Sequence, residues 1–70
     1  MSNPRIFQPS EFIVGNAIML SDDAFGHVIR VLRLKVGDEI TFFNGDGNDY
    51  QATLTEVNKK QAKADIKSTA

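Results

Sequence analysis

The spacing of apolar residues changes rhythm along this chain. From Asp22 onward, turning 100° per residue brings Ala24, Val31, Val28, Leu32, Phe25 and Ile29 onto one arc, and Asp23, Gly26, His27, Arg30 and Arg33 onto the other. That period predicts an amphipathic helix over Asp22 to Leu34. Ser21 stands where a hydroxyl can accept from a free amide of the first turn. Asp22 and Asp23 follow, where negative charge suits the helix N-terminus. Gly37 and Asp38 then break the pattern. "EITFF", Glu39 to Phe43, is β-branched and aromatic and reads as a strand, with Phe42 inward and Phe43 outward. "NGDGN", Asn44 to Asn48, is a hairpin signal, because Asn and Gly tolerate positive φ.

Beyond the hairpin the period is two. In "DYQATLTEV", Asp49 to Val57, Tyr50, Ala52 and Leu54 fall on one face, and Gln51, Thr53 and Thr55 on the other. Val57 breaks the count, which predicts a bulge or a strand end there. "NKK" is a turn. "QAKADI" puts Ala62, Ala64 and Ile66 on one face, and Ser68 to Ala70 carries no signal and is expected to fray. Ahead of the helix, "RIFQ" (Arg5 to Gln8) lies between Pro4 and Pro9 and reads as a short edge strand. "AIML" (Ala17 to Leu20) reads as a second strand. Glu11 to Gly15 gives no clear period. The order is β–β–α–β–β–β, mainly β with one helix. The last three strands form an antiparallel meander. One helix cannot cover two sheet faces, so a small curled sheet or half-open barrel plugged by the helix is the economical solution.

Seventy residues make one small domain, and with 41% hydrophobic residues it can bury a thin core. The absence of cysteine removes disulfides and thiolate zinc sites. No apolar run approaches the ~20 residues of a bilayer span, and the N-terminus lacks the features of a secretory signal; a cytoplasmic, non-membrane location is the expectation. The net charge of −1 hides an uneven layout. His27 to Lys35 carries Arg30, Arg33 and Lys35 with no acid between them. Lys59 to Lys67 holds Lys59, Lys60, Lys63 and Lys67 against Asp65 alone. The second block is equally well read as lysines that keep a strand soluble.

No catalytic set emerges. His27 is the sole histidine, and no nucleophile-elbow pattern surrounds Ser10, Ser21 or Ser68. "NGDGND" lacks the closing glutamate of a calcium loop and is read as a turn. What remains is the cationic helix face of His27, Arg30 and Arg33, extended by Lys35. Arginine presents a planar fork of donors suited to phosphate oxygens. Phe7 and Phe43 are candidates for base stacking, since Ile6 and Phe42 take the inward side.

The words "RIFQP", "HVIRVLRLKVGD" and "FNGDG", in this order and followed by an alternating strand, resemble the N-terminal domain of the ribosomal RNA small subunit methyltransferase E family. The likeness runs from about Arg5 to Ile66. It implies a PUA-like β-barrel that grips RNA, within an enzyme that methylates N3 of a uridine in small-subunit ribosomal RNA. It also implies a second, knotted domain that binds S-adenosylmethionine and dimerises. This chain, residues 1–70, resembles only the first part, so the expectation is a single RNA-binding domain with no cofactor, metal or catalytic residue of its own. By the resemblance His27, Arg30 and Arg33 match the family's helix word and Arg5 its basic residue on the first strand; RNA contact is expected at Arg5, Arg30 and Arg33. The expected partners are small-subunit ribosomal RNA and the chain's own methyltransferase domain, with any homodimer formed through that domain. The rival reading is a protein-docking barrel whose helix face meets the catalytic domain or a dimer mate.

Overall fold

The computed structural model describes residues 3–69. Five strands form one mixed sheet: β1 (Arg5–Phe7), β2 (Ala17–Met19), β3 (Glu39–Phe43), β4 (Asp49–Val57) and β5 (Ala62–Thr69), in spatial order β1-β3-β4-β5-β2. The meander of β3, β4 and β5 is antiparallel, as alternation and short turns require. Period two puts Ile40, Phe42, Ala52, Leu54, Ala64 and Ile66 on the covered face, where all are buried. The sheet is open, with β1 and β2 at its edges. β1 runs parallel to β3, pairing Arg5 with Thr41 and Phe7 with Phe43; β2 runs antiparallel to β5.

β5 continues through Ser68 and Thr69, which pair with Gln51 and Tyr50, so the expected fraying does not occur there; Ala70 lies outside the described residues. The ladder shifts register between Leu54 and Glu56 and again between Gln51 and Ala52. The first shift is the interruption that the broken alternation signalled, placed two residues earlier than Val57. Phe12, in the stretch without a clear period, is buried against Phe42 (ring centroids 4.9 Å apart) and Tyr50 (5.0 Å).

The helix differs from expectation. An α-helical turn, α1 (Asp22–Phe25), opens it as predicted: Ser21 Oγ accepts from the Ala24 amide at 3.2 Å. From Gly26 to Val31 the segment is π-helical. The Leu32 amide then reaches five residues back to the His27 carbonyl, and the Leu34 amide six back to that of Val28. Helical geometry ends at Val31 rather than Leu34. A π turn holds more residues than an α turn, so the 100° projection fails past Val28. Val28 is fully buried, whereas Val31 and Leu32, expected inside, are 68% and 38% exposed.

Gln8 holds the two sheet edges together. It is 2% exposed, and every polar group it owns is engaged. Its amide N donates to the Phe43 carbonyl, extending the β1–β3 ladder, and its carbonyl accepts from Ser10 N. Its side-chain Nε2 donates to the Met19 carbonyl at 3.0 Å and contacts Ser10 Oγ at 3.1 Å. Its Oε1 accepts from the Ser21 amide at 2.8 Å. One side chain thus links the end of β1 to the junction of β2 and α1. Gln8→Ala leaves the Met19 carbonyl and Ser21 amide without these partners, at a cost of about 2–4 kcal/mol. A chain of this size has only ~3–10 kcal/mol in all. Urea unfolding is expected to show that loss; a loss below about 1 kcal/mol would mean that the amide is not a structural tie.

Candidate RNA-contacting site

The cations of the central segment are positioned by the way the helix ends. His27 and Arg30 lie on the π-helical segment and both are exposed. The Arg30 guanidinium carbon stands 5.9 Å from the centroid of the Phe25 ring, so a buried aromatic steadies the stem. Arg33 lies beyond the helix, at φ 57, the one non-glycine residue in the left-handed region among the described residues. That conformation costs a residue with a Cβ roughly 1–2 kcal/mol. Lys35 follows in a turn locked at both ends: its amide donates to Asp38 Oδ2 at 2.9 Å, and the Asp38 amide donates back to its carbonyl. The turn is pinned to β4, since Gly37 N donates to the Leu54 carbonyl and Leu54 N to that of Asp38.

The expected single helix face with cations three residues apart is therefore corrected. His27 and Arg30 share the helical segment; Arg33 and Lys35 occupy the turn that terminates it. Their charges remain free. Among the described residues the ion pairs are Arg5–Asp49 and Lys67–Asp65, so none neutralises Arg30, Arg33 or Lys35. The nearest acid in sequence, Asp38, is occupied with the backbone amide of Lys35.

Arg5 belongs elsewhere. On β1 its neighbour is Thr41, but its Nη2 reaches Asp49 Oδ1 at 2.8 Å, and Asp49 pairs with Phe43 at the far end of β3. The guanidinium carbon lies 4.4 Å from the Phe43 ring centroid. Phe7 meets Phe43 edge-on at 5.5 Å. Both rings are on the outward side, as the alternation implied, and Phe7 is 52% exposed. Arg5, Phe43, Asp49 and the hairpin residues Gly45, Gly47 and Asn48 line an open groove of about 290 Å³. From Asp38 to Phe43 the strand advances roughly 16 Å at ~3.3 Å per residue, which separates this groove from the cationic turn. Lys59 and Lys60 lie in the β4–β5 turn, and Lys67 pairs weakly with Asp65 at 3.8 Å.

The hairpin itself is rigid. Gly45 and Gly47 take φ 89 and 93, and the Asp46 and Asn48 amides are accepted by the side chains of Asn44 and Asp46. Tyr50 Oη donates to Asp46 Oδ2 at 2.6 Å. That hydrogen bond, aided by the Asn48 amide, holds the Asp46 carboxyl below its ordinary 3.8, and the same bond together with burial holds the Tyr50 phenol above its ordinary 10.0.

The pattern of the RNA methyltransferase PUA domain matches residues 20–67. The chain belongs to that family. Among solved structures, a candidate methyltransferase from Legionella pneumophila, in complex with its cofactor SAM, superposes on the whole chain with a TM-score of 0.95 and 38% identity. The ribosomal RNA small subunit methyltransferase E of Neisseria gonorrhoeae, bound to S-adenosyl methionine, matches 99% of the chain with a TM-score of 0.89 and 33% identity. A candidate rRNA methyltransferase from Porphyromonas gingivalis matches 96% of it with a TM-score of 0.81 and 25% identity. The chain spans 29% of the length of the first two and 27% of the third.

Two expectations follow. Arg33→Gly removes the left-handed penalty at a cost of about 0.5–1 kcal/mol in unfolded-state entropy, so the melting temperature should hold or rise by a few degrees while RNA affinity falls; a lower melting temperature would show that Arg33 has a structural role instead. For the Asp46–Tyr50 bond, the lowered carboxyl contributes stability above pH 3.8 that is lost as pH falls through its folded value. The raised phenol contributes stability below pH 10.0 that is lost as pH rises through its folded value. Denaturation midpoints measured across pH should show both declines, and Asp46→Asn should weaken both.

Proposed function

We propose that this chain is the substrate-gripping domain of an S-adenosylmethionine-dependent methyltransferase that acts on N3 of a uridine in small-subunit ribosomal RNA. The observation that carries the RNA-contacting role is the run of exposed, unneutralised cations Arg30, Arg33 and Lys35, with His27 beside them, on a backbone fixed by the π-helical step and the Asp38 turn. Guanidinium groups free of carboxylate partners are available to phosphate oxygens, and each such contact releases counterions. Membership of the RNA methyltransferase PUA family supports the same assignment. The hydrogen bonds of Gln8 between the end of β1 and the β2–α1 junction give these groups a stiff base.

On this reading a companion domain in the same polypeptide binds S-adenosylmethionine, dimerises and performs the transfer, and the residues of this chain act on the RNA alone. Phosphate contacts set register and orientation rather than sequence, so the module presents the RNA to a catalytic centre held elsewhere. The setting is the cytoplasm, during maturation of the small subunit. No helix among the described residues is long and apolar enough to cross a membrane.

A second reading is favoured by Val31, Leu32 and Val36 (58% exposed), apolar side chains along the same segment. Here that segment docks on the companion domain or a dimer mate. Mixing the chain with the separately expressed companion domain, and separately with ribosomal RNA, distinguishes the two.

Replacing Arg30 and Arg33 by Ala should make the plot of log Kobs against log salt shallower by about 1.4, at ~0.7 per single-strand phosphate contact. A filter-binding series on a small-subunit ribosomal RNA fragment measures this. An unchanged slope and affinity would remove the phosphate-binding role.

A further inference from the structure

Arg5 and the central cations differ in a way that separates their tasks. Arg30, Arg33 and Lys35 carry net positive charge, whereas Arg5 is neutralised by Asp49 at 2.8 Å. A paired guanidinium is a poor phosphate trap. Beside a carboxylate it becomes a fixed set of donors adjoining a fixed set of acceptors, which is what the edge of a nucleobase requires.

The surroundings suit a base. Register places Phe7, Phe43 and Asp49 side by side across β1, β3 and β4, on the sheet face opposite the core, with Arg5 two residues from Phe7 on the same side. Phe43 lies against the Arg5 guanidinium and meets Phe7 in a T-shaped contact. The ring of Phe7 is half exposed on an edge strand. The groove on the far side of this pair is lined by Phe43, Arg5, Asp49 and the hairpin, including Gly45 and Gly47, and an added Cβ at either glycine would meet nothing within 4 Å. A flat ligand can therefore enter without displacing a side chain. The hairpin that forms this wall is held by the Asp46–Tyr50 and Asn44–Ser10 hydrogen bonds. Sheet faces bearing exposed aromatics are natural platforms for unstacked bases.

We propose that this face binds one unpaired RNA base, stacked on Phe7 with its hydrogen-bonding edge turned to Arg5 and Asp49. The proposal rests on the RNA-binding reading above and adds to it a specificity-determining subsite, distinct from the cationic turn. The turn holds the backbone; the groove reads a base that has left its stack. Duplex RNA, whose bases are not free to enter, should gain nothing from it.

The probe is a short single-stranded RNA carrying 2-aminopurine, whose fluorescence falls when the base stacks. With the chain as it stands, binding is expected to quench the probe, and annealing the RNA to its complement to abolish that component. Phe7→Ala should weaken single-strand binding about tenfold and remove the quench while the salt slope stays the same; Phe7→Tyr should restore both. Phe7 is exposed, so the far-UV spectrum of Phe7→Ala should match the parent. Arg30→Glu with Arg33→Glu should do the reverse, flattening the salt slope while the quench persists at saturation. If Phe7→Ala leaves affinity and quench unchanged while the arginine variants abolish binding, the base subsite is wrong and the phosphate reading stands; the aromatic face then serves a protein contact. Equal affinity for duplex and single strand likewise overturns it. Failure of the parent chain to bind either RNA overturns both readings.

Discussion

The geometry of this small domain depends on a single buried carboxamide. A five-stranded open sheet in a chain of 70 residues has two edges, β1 and β2, and a thin core to hold them. Gln8 supplies the missing constraint by donating to one backbone carbonyl and accepting from one backbone amide across the gap between β1 and the β2–α1 junction. The same contact fixes Ser21, whose hydroxyl caps α1. The helix is therefore set against the sheet by a chain of hydrogen bonds that begins on the first strand. Because the amide is enclosed, its bonds are stronger than they would be in water and costly to break.

The π-helical step explains why the cationic segment is shaped as it is. A regular helix through Leu34 would have buried Val31 and Leu32 and projected Arg33 from a helical turn. The observed widening keeps Val28 in the core, releases Val31 and Leu32 to the surface, and forces Arg33 into a left-handed conformation. Strain of that kind persists where surrounding contacts over-determine it, and it gathers at working sites. Here the over-determination comes from the Lys35–Asp38 turn and its two bonds to Leu54.

Much of the fold was legible because its signals are local. Ser21, the inward row of Tyr50, Ala52 and Leu54, and the "NGDGN" turn each declare themselves within a few residues, and their roles agree with the structure. What escaped was non-local. Nothing near Arg5 announces a parallel partner at Thr41, and a glutamine ending a short edge strand carries no local sign that it is buried. The π step was hidden because a 100° projection presupposes the α period it tests. The cations of the candidate site were visible as residue types, but their grouping was not. Arg5 seemed to join the basic set, yet Asp49, distant in sequence, claims it; only the pairing of Phe43 with Asp49 across the hairpin reveals that.

The parallel placement of β1 carries a consequence for biogenesis. Among the described strands β1 is made first, yet its ladder partner follows some thirty-six residues later. It waits through synthesis of β2, α1 and β3 before it can pair, and that long-range closure costs entropy before any contact rewards it. Until it does, one side of β3 presents unpaired amides and carbonyls, an open seam for other nascent chains. The face bearing Arg5, Phe7 and Phe43 therefore exists only in molecules in which that closure has been made.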